Sequence, residues 1–167
     1  ALGVPEDVRM HVAVGTSLST IVFTSYSSLR AHSRRGATDW ALFRSWAPGI
    51  VIGVLLGTAL AAFISGKSLT AFFGVVALLV AGWMAFSPTQ LQLFPGLPTG
   101  LLKYLVTGLI GIVSALMGIG GGTLSVPTMT LSGYPIHKAV GTASAIGFLI
   151  GVPGTLGMIV GGWGHEG

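Results

Sequence analysis

Apolar positions in this chain fall in long unbroken blocks, and the polar positions gather between them. "APGIVIGVLLGTALAAFI" (47–64) and "LTAFFGVVALLVAGWMAF" (69–86) contain no charge, and each runs about 18 residues, near the length that crosses a bilayer. A helix of a soluble domain keeps one wet face; these blocks keep none. The same pattern predicts spans over residues 12–29, 47–64, 69–86, 101–117 and 139–160. Between the last two lies a short apolar piece, "TLSVPTMTLSG". "SGKS" (65–68) reads as a tight turn, and "SPTQLQLFPGLPTG" (87–100) as an uncharged loop with three prolines.

Two glycine patterns interrupt the blocks, and they call for different explanations. Gly49, Gly53, Gly57 and Ala61 fall four apart, so they form one small-residue stripe of the kind that lets membrane helices approach closely. Gly118, Gly120, Gly121 and Gly122 sit too close together for a stripe. Glycine costs about 1 kcal/mol per helical position against alanine, and it is free to take positive φ. "GIGGG" therefore predicts a broken helix or re-entrant segment, and Pro127 just beyond it removes a further donor. Irregular backbone at membrane depth survives only when buried in protein or lining a watery cavity. Neither a dinucleotide fingerprint nor a phosphate loop fits: position 123 is Thr123, and no Gly-Lys-Ser/Thr follows the glycines.

"HVAVGTSLSTIVF" (11–23) and "HKAVGTASAIGFL" (137–149) share H-x-A-V-G-T at an offset of 126 residues, and each copy opens a span. This is read as an internal repeat, a common build of secondary transporters. Moved back by the same offset, the glycine cluster falls just before Ala1. The chain is thus expected to be the middle of a longer parent. Residues 1–99 would be the end of a first repeat with three transmembrane helices and an arginine-rich cytoplasmic loop at 30–44. Residues 100–167 would be the start of the second, with a helix, the break at 118–122, the short apolar segment and another helix. The expected fold is an all-α integral membrane protein, a polytopic bundle of two homologous repeats with a glycine-rich break in each. If the short segment stays on one side, the repeats are parallel; if it crosses, or pairs with the preceding helix as a hairpin, they are inverted.

Charge sharpens this picture. Only 7% of the 167 residues are charged, and the net charge is +4, against about 25% charged residues in an ordinary soluble domain. Arg30, Arg34, Arg35 and Arg44 cluster in or beside one loop, which marks a cytoplasmic loop rather than a nucleic-acid surface. The four acids, Glu6, Asp7, Asp39 and Glu166, all lie outside the long apolar blocks. There is no cysteine, which excludes thiolate ligands and nucleophiles. Four scattered histidines give no zinc spacing, and no cofactor or metal is expected. Lys103 and Lys138 read as snorkelling side chains, and Trp40, Trp46, Trp83 and Trp163 as interfacial anchors.

A broken helix presents free N–H groups and a positive helix end at membrane depth, and both favour anions. The expected substrate contacts are therefore Gly118, Gly120, Gly121, Gly122 and Thr123 around the break. Gly141 and Thr142, with their repeat mates Gly15 and Thr16, come second. Back-bonding to a helix carbonyl is the plain alternative for the threonines. His11 and His137 match across the repeat and are expected at span ends.

With "GIGGGTLSVP" (118–127), "HKAVGTASA" (137–145) and "HVAVGTSLSTIVFTSYSSLRAHSRRGATDW" (11–40), the chain resembles the sulfite exporter TauE/SafE family of membrane permeases over nearly all its length. That resemblance implies a multi-pass protein of the bacterial cytoplasmic membrane that moves small sulfur-containing anions such as sulfite or sulfonates. One departure is Ala143 where the first copy has Ser17. The implied partners are a small anion and the lipid bilayer, without nucleic acid; a homo-oligomer stays open. A membrane-embedded enzyme or a structural or assembly subunit, with its key residues in the absent ends, is the competing class. The spans themselves show no catalytic constellation.

Overall fold

The computed structural model describes residues 8–86 and 93–162. They form six helices: α1 (Arg9–Arg34), α2 (Trp40–Ala61), α3 (Gly66–Phe86), α4 (Gly100–Met117), α5 (Gly122–Leu131) and α6 (Ile136–Gly162). No strand occurs among the described residues. Helices α2, α3, α4 and α6 are long and apolar enough to cross a membrane. Helix α1 has 26 residues, ample length, but it carries too many hydroxyls and bases to read as apolar. Those hydroxyls are partly returned to the backbone: Thr16 donates to the Val12 carbonyl at 2.7 Å, Ser19 to Gly15 at 2.9 Å and Thr20 to Thr16 at 3.0 Å.

The small-residue stripe works as the spacing implies. A Cβ at Gly53 would run into the Gly108 carbonyl, and one at Gly57 would lie 2.8 Å from the Ile112 carbonyl; from the other side, one at Gly111 would strike the Ile50 carbonyl. Contacts therefore rise together along both helices, so α2 and α4 run parallel, backbone against backbone. Such closeness collects dispersion along the whole seam, which is the main attraction between helices in lipid.

The α1–α6 seam runs the other way. Gly147 packs on Ser25, Gly151 on Val22, Gly154 on Leu18, and Gly15 on Met158. The two H-x-A-V-G-T segments are therefore antiparallel.

Helix α4 ends at Gly118, which has φ +64° and sits against Val14 and Ser17 of α1. Helix α5 then doubles back. At ten residues it is about 15 Å long, too short to span. Its far end meets the chain before α4, where the Leu93 amide donates to the Leu131 carbonyl at 2.9 Å. Helices α4 and α5 thus form a hairpin that enters and leaves on the side of the arginine loop.

Three expectations from the sequence need amending or qualifying. Trp46 is 1% exposed and belongs to the core, because α2 begins at Trp40 and carries Trp46 almost two turns inside. Trp40 and Trp83 are exposed, and Trp163 lies outside the described residues, as do positions 87–92 of the proline-containing loop. Pro127 sits within α5, beyond the break. Lys103 donates to Ser45 at 3.1 Å and lies 4.6 Å from the Tyr104 ring centre.

The seam yields a paired prediction. Gly53→Val should lower stability in detergent by about 3 kcal/mol or abolish folded yield, since its new atoms meet backbone that cannot yield. Gly74→Ala, where nothing lies within 4 Å, should be neutral or gain up to about 1 kcal/mol from helix propensity. Thermal unfolding of both variants checks the contrast.

Candidate substrate site at the helix break

Gly118 and Gly120 both hold positive φ, at +64° and +73°, and together they turn the chain from α4 into α5. A side chain is excluded at Gly121 for a separate reason. Its Cβ would lie 2.6 Å from Ile146 Cγ2 and 2.8 Å from the Gly147 backbone nitrogen on α6. The break is therefore clamped between α6 on one side and α1 on the other, where Ser17 donates to the Gly118 carbonyl. The first backbone bond into α5 from its cap is Ser125 N–H to Gly121 O at 3.0 Å. The amides of Gly122, Thr123 and Leu124 have no backbone acceptor among the described residues, as the first turn of any helix dictates.

A cavity of about 310 Å³ opens at this turn. Gly120, Gly121 and Gly122 form one wall, Ser25 and Ser28 of α1 a second, and Ser144 and Gly147 of α6 a third. Ser28 and Ser144 hydroxyls meet at 2.9 Å across it. The only carboxylate among the described residues, Asp39, does not line the cavity. The lining carries no charge and sets these serines and glycines among Ile21, Ile119, Val126, Val140 and Ala143; it can hold an anion or water and offers nothing to balance a bare cation.

The predicted site residues do not all gather here. Gly118, Gly120, Gly121 and Gly122 build the break. The Thr123 side chain instead borders a groove with Leu79, Val80 and Trp83 of α3. Gly141 and Thr142 are buried beneath the loop between α1 and α2: a Cβ at Gly141 would strike the Ala37 carbonyl, and the Thr142 hydroxyl accepts from the Asp39 amide at 3.0 Å. Gly15 and Thr16 line a different cavity, toward the other end of α1. Ser25, Ser28, Ser144 and Gly147 escaped the sequence reading. Their signal was the serine-rich second half of α1, with Ile21, Ser25 and Ser28 at i, i+4 and i+7 on one face.

Asp39 fastens the arginine-loop side. Its carboxylate caps α2 by accepting from the Ala41 and Leu42 amides, both at 3.0 Å, and it also accepts from the Tyr134 hydroxyl in the α5–α6 turn. The Leu42 amide above all, then the Tyr134 hydroxyl, with smaller help from the Ala41 amide and the Lys138 charge, hold this carboxyl below its ordinary value despite some desolvation. Burial first, and then the hydrogen bond and charge of Asp39, push Tyr134 up to about 12.

The fold defines a polytopic helical membrane protein with a re-entrant, glycine-broken hairpin. The model of the sulfite exporter TauE/SafE family matches residues 1–165, and the chain belongs to that family. It is 33% identical over 162 residues to a probable membrane transporter protein of Haemophilus influenzae, covering 97% of this chain and 61% of that one. A probable membrane transporter protein of Xylella fastidiosa is 31% identical, with 89% and 57% covered. One of Methanocaldococcus jannaschii is 29% identical, with 83% and 51% covered. The chain thus spans between half and two thirds of the length of these relatives. No solved structure gives a significant match.

Two predictions follow from this geometry. Gly121→Ala should disorder the break while Gly122→Ala, in open space, leaves it intact; hydrogen exchange at residues 118–124 distinguishes them. Tyr134→Phe should cost about 1 kcal/mol at neutral pH, a charged-acceptor hydrogen bond discounted for partial exposure. The lowered Asp39 value means this clamp is present above the ordinary 3.8 and is lost as pH falls through the folded value. The raised Tyr134 value means its share is present below 10.0 and is lost as pH rises through about 12. Unfolding midpoints measured across pH should show both limbs in the native protein; the phenylalanine variant should lose the alkaline limb and keep a reduced acid limb, because the Leu42 and Ala41 amides still hold Asp39.

Proposed function

We propose that the whole protein is a permease for small, sulfur-containing anions, and that the anion rests at the break between α4 and α5. The observation that carries this reading is the chamber itself. The open amide of Gly122 at the start of α5 stands beside the hydroxyls of Ser25, Ser28 and Ser144, with no carboxylate among the lining residues. Helix starts attract anions through their free N–H groups and the aligned peptide dipoles. A volume of about 310 Å³ leaves room for an oxyanion and several waters, each with about 30 Å³ of liquid volume. Asp39, occupied by two amides and a tyrosine, is not free to repel such a guest or to hold a cation.

In this mechanism the backbone binds and the hydroxyls select. Amide N–H groups and hydroxyl donors suit an acceptor-rich oxyanion, while the serines add reach around the guest that rigid backbone lacks. Family membership supports transport as the activity and sulfur oxyanions as the class. Discontinuous helices with sites at membrane depth are a recurring device of secondary transporters.

The test is uptake of labelled sulfite into proteoliposomes holding the whole protein, with sulfate, a sulfonate and chloride as competitors. Saturable uptake blocked by one sulfur oxyanion is the expected result; chloride competing equally with all others would sink the sulfur assignment. Replacing Ser25 or Ser144 by Ala should weaken apparent affinity by about tenfold each, the worth of one hydrogen bond of about 1.4 kcal/mol, with insertion unchanged.

A further inference from the structure

At the end of α1 away from the arginine loop, two cavities meet at His11. One, of about 440 Å³, reaches toward Thr58 and the α2–α3 turn at Ser65 and Gly66. The other, of about 360 Å³, lies between α1 and α6 and is bordered by Thr16, Ser19 and Thr155. His11 Nε2 lies 2.8 Å from the Ala61 carbonyl at the end of α2. A carbonyl only accepts, so Nε2 carries a hydrogen and the tautomer is fixed. The other ring nitrogen, Nδ1, is buried without a hydrogen-bond partner among the described residues, and so is the hydroxyl of Thr155. Both residues border the same cavity. An acceptor and a hydroxyl left unanswered in protein are costly, and together they ask for a guest that donates.

We propose that His11 is a proton-binding site, reached from the face opposite the arginine loop, and that proton binding there is coupled to anion movement. The proton arrives through water in the cavities and adds to the Nδ1 lone pair, while Nε2–H stays on the Ala61 carbonyl. The imidazolium formed adds one positive charge and nothing leaves. Its new Nδ1–H reaches the Thr155 hydroxyl through water in the cavity both residues border. The charged groups on the elements packed here are Arg9 on α1 itself and Lys67 at the start of α3. The ends of α2 and α6 at this place contribute hydroxyls, methionine and glycine, and no carboxylate; Glu6 and Asp7 precede the described residues. Its repeat mate His137 is exposed at the start of α6, so the sequence match does not extend to this role.

The coupling half of this inference rests on the anion-permease reading; the proton site does not. The test therefore has two readouts on the whole protein in liposomes. Nitrogen-15 spectra of labelled histidine, followed over a pH series, should show His11 as the Nε2–H tautomer that reversibly gains a second proton, a signal absent in His11→Gln. Thr155→Val, which keeps shape and loses the hydroxyl, should move that transition to lower pH. An unchanging neutral tautomer across the range overturns the proposal whatever the flux. In flux, an imposed pH gradient should accelerate sulfite movement by native protein, and His11→Gln should keep gradient-free uptake but lose the acceleration. Full acceleration in that variant overturns the coupling. Protonation of His11 with no anion transported at all would uphold the proton site and overturn the permease reading instead.

Discussion

Hydrocarbon does not forgive an unpaired backbone amide, and the rest of this structure follows from that constraint. The chain opens its backbone at residues 118–122, and each group freed there would cost several kcal/mol in contact with lipid. Most of the break is enclosed accordingly: α6 presses on Gly121 with Ile146 and Gly147, and α1 covers Gly118 and Gly120 with Val14, Ser17 and Ile21, while Gly122 stays exposed at the cavity. Two helices far apart in sequence have to meet closely for this to work. Their antiparallel seam, lined with Gly147, Gly151 and Gly154, is what makes the approach possible. The α2–α4 seam then fixes the other side of the hairpin.

The placement of polar groups obeys the same rule. Helix α1 carries threonines and serines in numbers that a lipid-facing helix would not, yet many are turned back on its own carbonyls. Of those that are not, Ser17, Ser25 and Ser28 converge on the break or on the cavity beside it. On the arginine-loop side, Asp39 gathers the cap of α2, the α5–α6 turn and, through its amide, Thr142. The acid that sequence leaves nearest to the spans is thus spent on architecture, and the chamber keeps its acceptor-poor character.

Much of this was legible beforehand, for identifiable reasons. Helices α3 and α4 begin and end within a few residues of the apolar blocks at 69–86 and 101–117 because no acid, proline or polar cluster interrupts those blocks. The regular spacing of Gly49, Gly53 and Gly57 announces a packing face, and the crowding of Gly118 to Gly122 announces a turn. Periodicity could not say which threonine matters. Thr16 and Thr142 hold the same place in a repeated motif, yet one bonds back within its helix while the other supports a loop from the far side of the bundle. That difference depends on which element covers each helix, and a motif carries no record of its neighbours. Trp46 misled for a similar reason: an aromatic at a predicted span edge looks interfacial until the helix is found to start almost two turns earlier.

The polarity of α1 also bears on how the protein is made. A helix rich in hydroxyls has little drive to leave the insertion machinery for lipid by itself, and its antiparallel companion begins at Ile136, about a hundred residues later. At roughly 5–20 residues per second of synthesis, α1 waits on the order of ten seconds for α6. Throughout that interval it must stay in the translocon or lean on whatever has already been inserted. The order of synthesis and the order of assembly are therefore different in this protein, and α6 is the step that lets α1 settle.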